Sequence, residues 1–270
     1  CMDSWFWLND YAFYMALKFH FDNKEWLAWP EDIRYRKKEA VESYREELKD
    51  EIDFWKFLQY KFYQQWGKLR AYANEQGISI IGDLPIYTAA DSVEVWAHPE
   101  LFELNVLNRP AEVAGCPPDC FSATGQLWGN PVYHWEQHKK TGYAWWIHRL
   151  GYVSKLFDMV RIDHFRGFES YYSIPAKKET AEHGTWMPGP GLELFRAAQQ
   201  KLGELNILAE DLGNITPQVR KLLAETGYPG MKVLQFAFDS DADNEFLPHN
   251  YTTSHCVVYT GTHDNDTLLH

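Results

Sequence analysis

The 270-residue sequence has little of what would mark several large protein classes. No uninterrupted apolar run approaches the ~20 residues of a membrane-spanning helix, and no secretory signal pattern is present. Only four cysteines occur, at Cys1, Cys116, Cys120 and Cys256. They do not suggest a disulfide scaffold, and Cys116 and Cys120 lack the second ligand pair of a zinc finger, so no metal is expected. Basic residues are in deficit, with 26 Lys and Arg against 38 Asp and Glu and a formal net charge of −12. A phosphate backbone calls for a basic face, which argues against nucleic acid. The G-x-G-x-x-G and H-E-x-x-H signatures are missing as well, which weakens the dinucleotide-binding and zinc-protease classes. Sequons at Asn214, Asn250 and Asn265 lack a secretory context, read as chance occurrences, and the expected location is cytoplasmic.

Aromatic residues are abundant instead, at 16% with 12 tryptophans. Flat rings fill cores, and they also stack on the apolar faces of sugars. The stretch that organises the rest runs from Phe157 to Phe168, an apolar run of strand type ending in Arg161, Asp163, His164 and Gly167. Arg161 and Asp163 are two residues apart, so on a strand their side chains leave the same face. A neighbouring guanidinium favours the charged form of a carboxylate, as a nucleophile requires. A purely structural Arg–Asp pair at a strand end is the alternative, and this stretch alone does not decide between them.

Two later stretches repeat the pattern. Asn206-Ile207-Leu208-Ala209 runs into Glu210 and Asp211, and Cys256-Val257-Val258-Tyr259 runs towards His263, Asp264 and Asp266. Strands that each carry acid at their C-terminal ends suggest a parallel arrangement delivering carboxylates to one mouth, as in a β/α barrel.

The connecting pattern agrees. Trp5 to Phe21 has helical spacing and is broken by Trp29-Pro30. Lys37 to about Gln76 reads as one long helix with an apolar stripe through Val41, Tyr44, Leu48, Ile52, Trp55, Phe62, Trp66 and Leu69, and Gly77 closes it. Ile78 to Asp83 then reads as a buried strand with an acid at its tip. From Leu84 to about Tyr143 neither periodicity persists, so this stretch reads as a long functional loop rich in aromatics. Leu192 to Leu202 is a helix, and Thr216-Pro217 opens another that runs to about Thr226. Gly230 to Phe236 and Cys256 to Tyr259 complete about five strands of parallel type. An α/β barrel is expected, with a doubly wound sheet as its rival.

The runs Val160 to Phe168, Ala209 to Gly213 and Gly261 to Thr267 resemble three signature blocks of the 4-alpha-glucanotransferases, the amylomaltases or disproportionating enzymes of the alpha-amylase superfamily. Ile81-Gly82-Asp83-Leu84-Pro85-Ile86-Tyr87, Pro117-Pro118-Asp119, Phe121-Ser122 and Gly125 to Pro131 resemble further blocks, in the family's order. The resemblance implies a (β/α)8 TIM barrel, here as a piece lacking the first two and the last barrel strands. Residues 1–76 would be a helical insertion and lead-in helix. Residues 77–270 would hold strands 3 to 7, with an aromatic-rich insertion at about 84–143. Cys120 stands where the family usually carries a tyrosine, which removes an expected stacking platform.

By the same resemblance, Asp163 is the nucleophile, Glu210 the acid/base and Asp264 the third acid. Arg161, His164, His263, Trp128, Gln126, Tyr87 and Phe236 are the expected substrate contacts, and Asp83 is either a structural acid at the barrel mouth, the favoured reading, or a further substrate contact. Such chemistry passes through an oxocarbenium-like state by double displacement with retention, with the two working carboxyls about 5–5.5 Å apart. Glu210 must then hold a proton near neutral pH, through burial or a neighbouring negative charge. The implied partners are maltooligosaccharides and alpha-1,4-glucans, and no cofactor is needed. The residues themselves leave open an alpha-amylase-type hydrolase and a non-catalytic glucan-binding protein.

Overall fold

The computed structural model describes residues 5–119, 122–238 and 240–267. The chain opens with helices α1 (Trp5–His20), α2 (Glu31–Arg34), α3 (Lys38–Glu47) and α4 (Lys49–Glu75). Strand β1 (Ile81–Leu84), helix α5 (Val93–Ala97), strands β2 (Glu112–Cys116) and β3 (Gln126–Pro131), and helices α6 (Trp135–Lys140) and α7 (Ala144–Leu156) follow. Next come β4 (Met159–Ile162), β5 (Ser170–Pro175), β6 (Thr185–Pro188), α8 (Leu192–Leu202), β7 (Ile207–Ala209), α9 (Pro217–Thr226), β8 (Gly230–Val233) and β9 (Cys256–Tyr259). These form two compact units. One gathers Cys1–Ile78, Tyr87–Gln137 and Tyr172–Thr185, and the other gathers Ser79–Ile86, His138–Tyr171 and Trp186–His270.

The first unit is built on aromatic packing. Phe13 and Tyr14 of α1 meet Trp96 of α5 with ring centroids 5.7 Å apart, and Trp29 lies 5.5 Å from Trp96. Asp91 ties this cluster together by accepting hydrogen bonds from the Tyr14 hydroxyl, the Lys18 ammonium and the Trp26 backbone N–H. The single long helix expected from 37 to 76 is instead two helices that meet at Leu48 (φ −99°, ψ 21°). Leu48, at the break, and Ile52, one turn later, are both buried. The region from 84 to 143 is more ordered than its mixed composition implied. It contains α5, α6 and the antiparallel pairing of β2 with β3, and β2 also pairs antiparallel with β5. β5 lies far from β2 in sequence, which is why no local period announces that pairing. Cys120 and Phe121 lie outside the described residues.

The second unit has the parallel character read from the sequence. β1, β4 and β7 form a parallel sheet with β4 in the centre, and β8 and β9 form a parallel pair. One backbone hydrogen bond, from the Ala209 N–H to the Pro229 carbonyl, joins the end of β7 to the approach of β8. Between strands run α7, α8 and α9, which bury Trp146, Ile147 and Leu150, then Leu194, Phe195 and Ala198, then Val219 and Leu222. The alternation of helices with parallel strands makes this an α/β fold.

Two strands depart from expectation. The stretch from 78 to 83 is not buried throughout, because β1 begins only at Ile81 and alternates exposed with buried residues. It pairs only with β4 among the described residues, so one edge has no strand beside it. The strand expected from 230 to 236 ends at Val233, where the chain tightens into a 3-10 turn over Leu234–Phe238. Gly82 is required in β1, since a Cβ there would fall about 2 Å from the Phe157 ring.

Helix α9 is started by Thr216, whose hydroxyl accepts the Val219 N–H at 3.3 Å, with Pro217 in the first turn. Replacing Thr216 with alanine should cost about 1 kcal/mol of stability, whereas serine should restore most of it. Denaturant unfolding of both variants checks this, and an unchanged alanine midpoint would remove the cap from the account.

Candidate active site

Strand register builds the centre of the site. Asp83 on β1 is the direct partner of Arg161 on β4, so in a parallel pair their side chains stand side by side. Asp163 follows Arg161 by two residues, beyond the end of β4. The guanidinium spans both acids: Nη1 donates to Asp83 Oδ1 at 2.7 Å and Nη2 donates to Asp163 Oδ1 at 2.8 Å. Arg161 has 13% of its side chain exposed, against 50% for Asp83 and 42% for Asp163. Burial works against its charge, but the Asp83 hydrogen bond and the charges of Asp163, Asp83 and Glu210 outweigh it and raise its pKa. The fork is therefore a fixed cation that orients two carboxylates whose outer sides still face solvent.

Glu210 is the first residue after β7. The ladder continues into this turn: the Asp163 N–H donates to the Leu84 carbonyl, the Glu210 N–H to the Ile162 carbonyl and the Phe165 N–H to the Glu210 carbonyl. Each side-chain oxygen of Glu210 accepts a backbone N–H, Oε1 from Leu212 and Oε2 from His164, both at 2.8 Å. Burial, aided by the negative charge of Asp163, pushes its carboxyl up to about 7 against the pull of those two N–H donors and of Arg161. One carboxyl thus sits beside a cation, and the other keeps its proton close to neutral pH.

His164 occupies the left-handed region (φ 53°, ψ 48°), which costs a non-glycine residue on the order of 1 kcal/mol. That conformation accompanies the aim of its N–H at Glu210. The residue is half-buried, and desolvation of its ring together with the nearby charge of Arg166 pushes its pKa down to about 3. It is therefore a neutral group, able to donate or accept a hydrogen bond but not to carry charge. The turn that follows is pinned by Phe165 and Phe168, both fully buried, which pack on Phe195 at 5.3 and 5.1 Å.

The remaining expected residues fall into separate groups. Asp264 and His263 lie in the turn after β9, almost three-quarters exposed and 3.4 Å from one another. Among the described residues, neither makes a hydrogen bond or ion pair with Asp163 or Glu210. In the first unit, Trp128 donates its indole N–H to the Gln126 side-chain oxygen at 3.0 Å, and its ring lies 6.2 Å from that of Tyr87. Phe236 belongs to the 3-10 turn after β8, packs on Phe246 at 5.6 Å and gives its carbonyl to Asn244. Among the described residues no three His, Cys, Asp or Glu side chains come together as a metal-holding group.

Sequence reasoning missed three supports. Asp211 is mostly buried, its pKa is raised chiefly by that burial, and it accepts the Met231 N–H at 2.6 Å, fastening the end of β7 to β8. Asp158 accepts the Ile80 N–H at 2.7 Å and sets the start of β1 against β4. Arg166 reaches the Asn214 carbonyl and the Ser170 hydroxyl. The first two were visible as acids at strand ends, but nothing local distinguished a brace from a reactive group.

Comparison with known proteins follows the same lines. A family model described as 4-alpha-glucanotransferase matches residues 1–270. The chain is 51% identical over 263 residues to the 4-alpha-glucanotransferase of Clostridium butyricum, covering 97% of this chain and 54% of that protein. It is 53% identical over 268 residues to that of Thermus thermophilus, covering 99% and 53% respectively. Among solved structures, the amylomaltase from Streptococcus agalactiae in complex with acarbose matches with a TM-score of 0.93 at 48% identity, over 98% of this chain and 55% of that one. The chain therefore spans about half the length of the curated relatives it matches.

The raised Glu210 carboxyl makes stability depend on pH. Its folded value of about 7 lies above its ordinary 4.5, so the folded state holds the proton more tightly. This favourable contribution is present below pH 4.5 and is lost as pH rises towards 7. Above pH 7 the buried charge is a cost of about 3 kcal/mol. Glu210→Gln should therefore gain stability relative to the parent between pH 4 and pH 8. A stability difference that does not change across that range would contradict the buried, proton-holding carboxyl.

Proposed function

Because the chain belongs to the 4-alpha-glucanotransferase family, we propose that it carries the catalytic acids of a retaining transglycosylase acting on alpha-1,4-glucans. The observation that carries this reading is the unequal pair at the ends of β4 and β7. Asp163 is tied to the Arg161 fork, while Glu210 titrates near 7. In the proposed reaction a carboxylate oxygen of Asp163 attacks the anomeric carbon of the donor. The bond to the departing glycosidic oxygen breaks, and Glu210 gives that oxygen its proton. Glu210, now ionised, takes the proton of the acceptor's 4-hydroxyl as that oxygen attacks, which frees Asp163. Two inversions give net retention, and the proton count closes without a cofactor.

In the same reading, Asp264 and His263 hold sugar hydroxyls from the turn after β9, and neutral His164 and Asp83 contact the reacting ring. Trp128, Gln126, Tyr87 and Phe236 are proposed as glucan contacts by stacking and hydrogen bonding. The five parallel strands β1, β4, β7, β8 and β9 would be strands 3 to 7 of a (β/α)8 barrel, with residues 1–76 and about 84–143 as insertions. The similarity to an amylomaltase solved with acarbose supports maltooligosaccharides and starch-type glucans as partners. No helix among the described residues is long and apolar enough to cross a membrane. A cytoplasmic location is part of the proposal, although the potato relative is named chloroplastic/amyloplastic.

Incubation of the full-length protein containing this sequence with maltotriose, with products resolved by chain length, tests the reading. Glucose together with a ladder of longer maltooligosaccharides, without net gain of reducing ends, is the expected result. Net reducing ends without longer products would make the protein a hydrolase, and no change in a folded protein would make it a glucan-binding protein. Asp163→Asn should lower transfer by at least about 10⁴-fold while leaving the fold intact.

A further inference from the structure

Arg166 is a charged residue that the fold buries, with 5% of its surface exposed. It lies three residues after Asp163, in the 3-10 turn Phe165–Phe168. Burying a guanidinium is costly unless its donors are satisfied, and here the two terminal nitrogens bridge separate segments. One arm donates to the backbone carbonyl of Asn214, four residues after Glu210. The other donates to Ser170 Oγ at 3.1 Å, and the Ser170 hydroxyl in turn donates a hydrogen bond to the Glu169 carboxylate. The face of the guanidinium lies 3.9 Å from the centre of the Trp186 ring.

Trp186 is brought there by a close backbone approach. The Gly189 N–H donates to the Glu169 carbonyl, and the Gly191 N–H donates to the Phe168 carbonyl, both at 2.8 Å. A Cβ on Gly189 would fall 2.3 Å from the Phe168 carbonyl oxygen, so only glycine allows this contact. The segment carrying Trp186 is thus laid flush on the turn after β4, and it closes over a side chain that reaches the turn after β7.

Resting on the glucanotransferase reading, we propose that Arg166 is a positioning residue that holds the turn from Glu210 to Asn214 in the geometry from which Glu210 delivers its proton. The fork fixes the Asn214 carbonyl, and with it the turn whose Leu212 N–H reaches Glu210 Oε1. Trp186 keeps the guanidinium planar against that turn by stacking. Lysine can supply the charge but lacks the planar fork that spans two acceptors with its face against a ring. Arg166 touches neither substrate nor the reacting atoms in this account and acts through Glu210.

Two donors separate this role from a general contribution to folding. Maltotriose requires a proton on its departing oxygen. Alpha-maltosyl fluoride does not, because the C1–F bond breaks as the Asp163 oxygen–C1 bond forms and fluoride leaves with the electron pair. Azide then attacks C1 with its own electron pair and releases Asp163, so neither step calls on Glu210. In the full-length protein, Arg166→Lys should lower kcat/KM for maltotriose about 10- to 100-fold. Azide-supported fluoride release should stay within about threefold of the parent. An equal fall on both donors, in a protein folded by circular dichroism and thermal melting, would overturn the proposal. Should Arg166→Lys fail to fold, Trp186→Leu removes the stacking face and decides by the same comparison. A parent protein inactive on both donors would instead sink the glucanotransferase reading itself.

Discussion

The site depends on one guanidinium held between two carboxylates. Arg161 can reach Asp83 and Asp163 together only because β1 and β4 pair in parallel with Asp83 opposite Arg161, and because Asp163 leaves the same side of the chain two residues later. A slip of β1 by one residue against β4 would turn Asp83 to the opposite face and leave Arg161 with Asp163 alone. The small features around β1 serve that register. Gly82 makes room for Phe157, and the Asp158 carboxylate holds the Ile80 N–H at the start of the strand.

From this fork follows a division of labour between two carboxyls in one neighbourhood. Asp163 has the cation and open solvent, while Glu210 has burial and the negative charge of Asp163. Burial first, and the nearby Asp163 charge second, make the pair unequal, as the proposed double displacement requires of its two carboxyls. The two N–H donors on Glu210 temper the effect, keeping its carboxyl near 7 rather than far above. His164 supplies one of these donors from a left-handed backbone and keeps its ring neutral, so it adds no competing charge.

Much of this was legible because it is written locally. The apolar runs ending in acid located β4, β7 and β9, and the Arg161–Asp163 spacing foretold the pair. Thr216-Pro217 gave the start of α9, and the apolar spacing of Leu192 to Leu202 gave α8. What escaped was non-local. Leu48 is buried where the helix breaks, the pairing of β2 with β5 answers to a distant partner, and Phe236 is held by Phe246 beyond a strand that ends early. Asp211 and Arg166 carry the same charges as the proposed site residues beside them. Only their partners, a backbone N–H on β8 and a backbone carbonyl after β7, mark them as braces.

The central claim is that the acid beside the Arg161 fork becomes covalently bonded to sugar. The most direct measurement is mass spectrometry of peptides from full-length Glu210→Gln protein quenched after exposure to alpha-maltosyl fluoride, where loss of the acid/base lets the intermediate accumulate. The account predicts a maltosyl adduct on the peptide holding Asp163, at that residue and absent from Asp163→Asn. An adduct on Asp83 or Asp264 instead, or fluoride release with no adduct at any carboxylate, would contradict it.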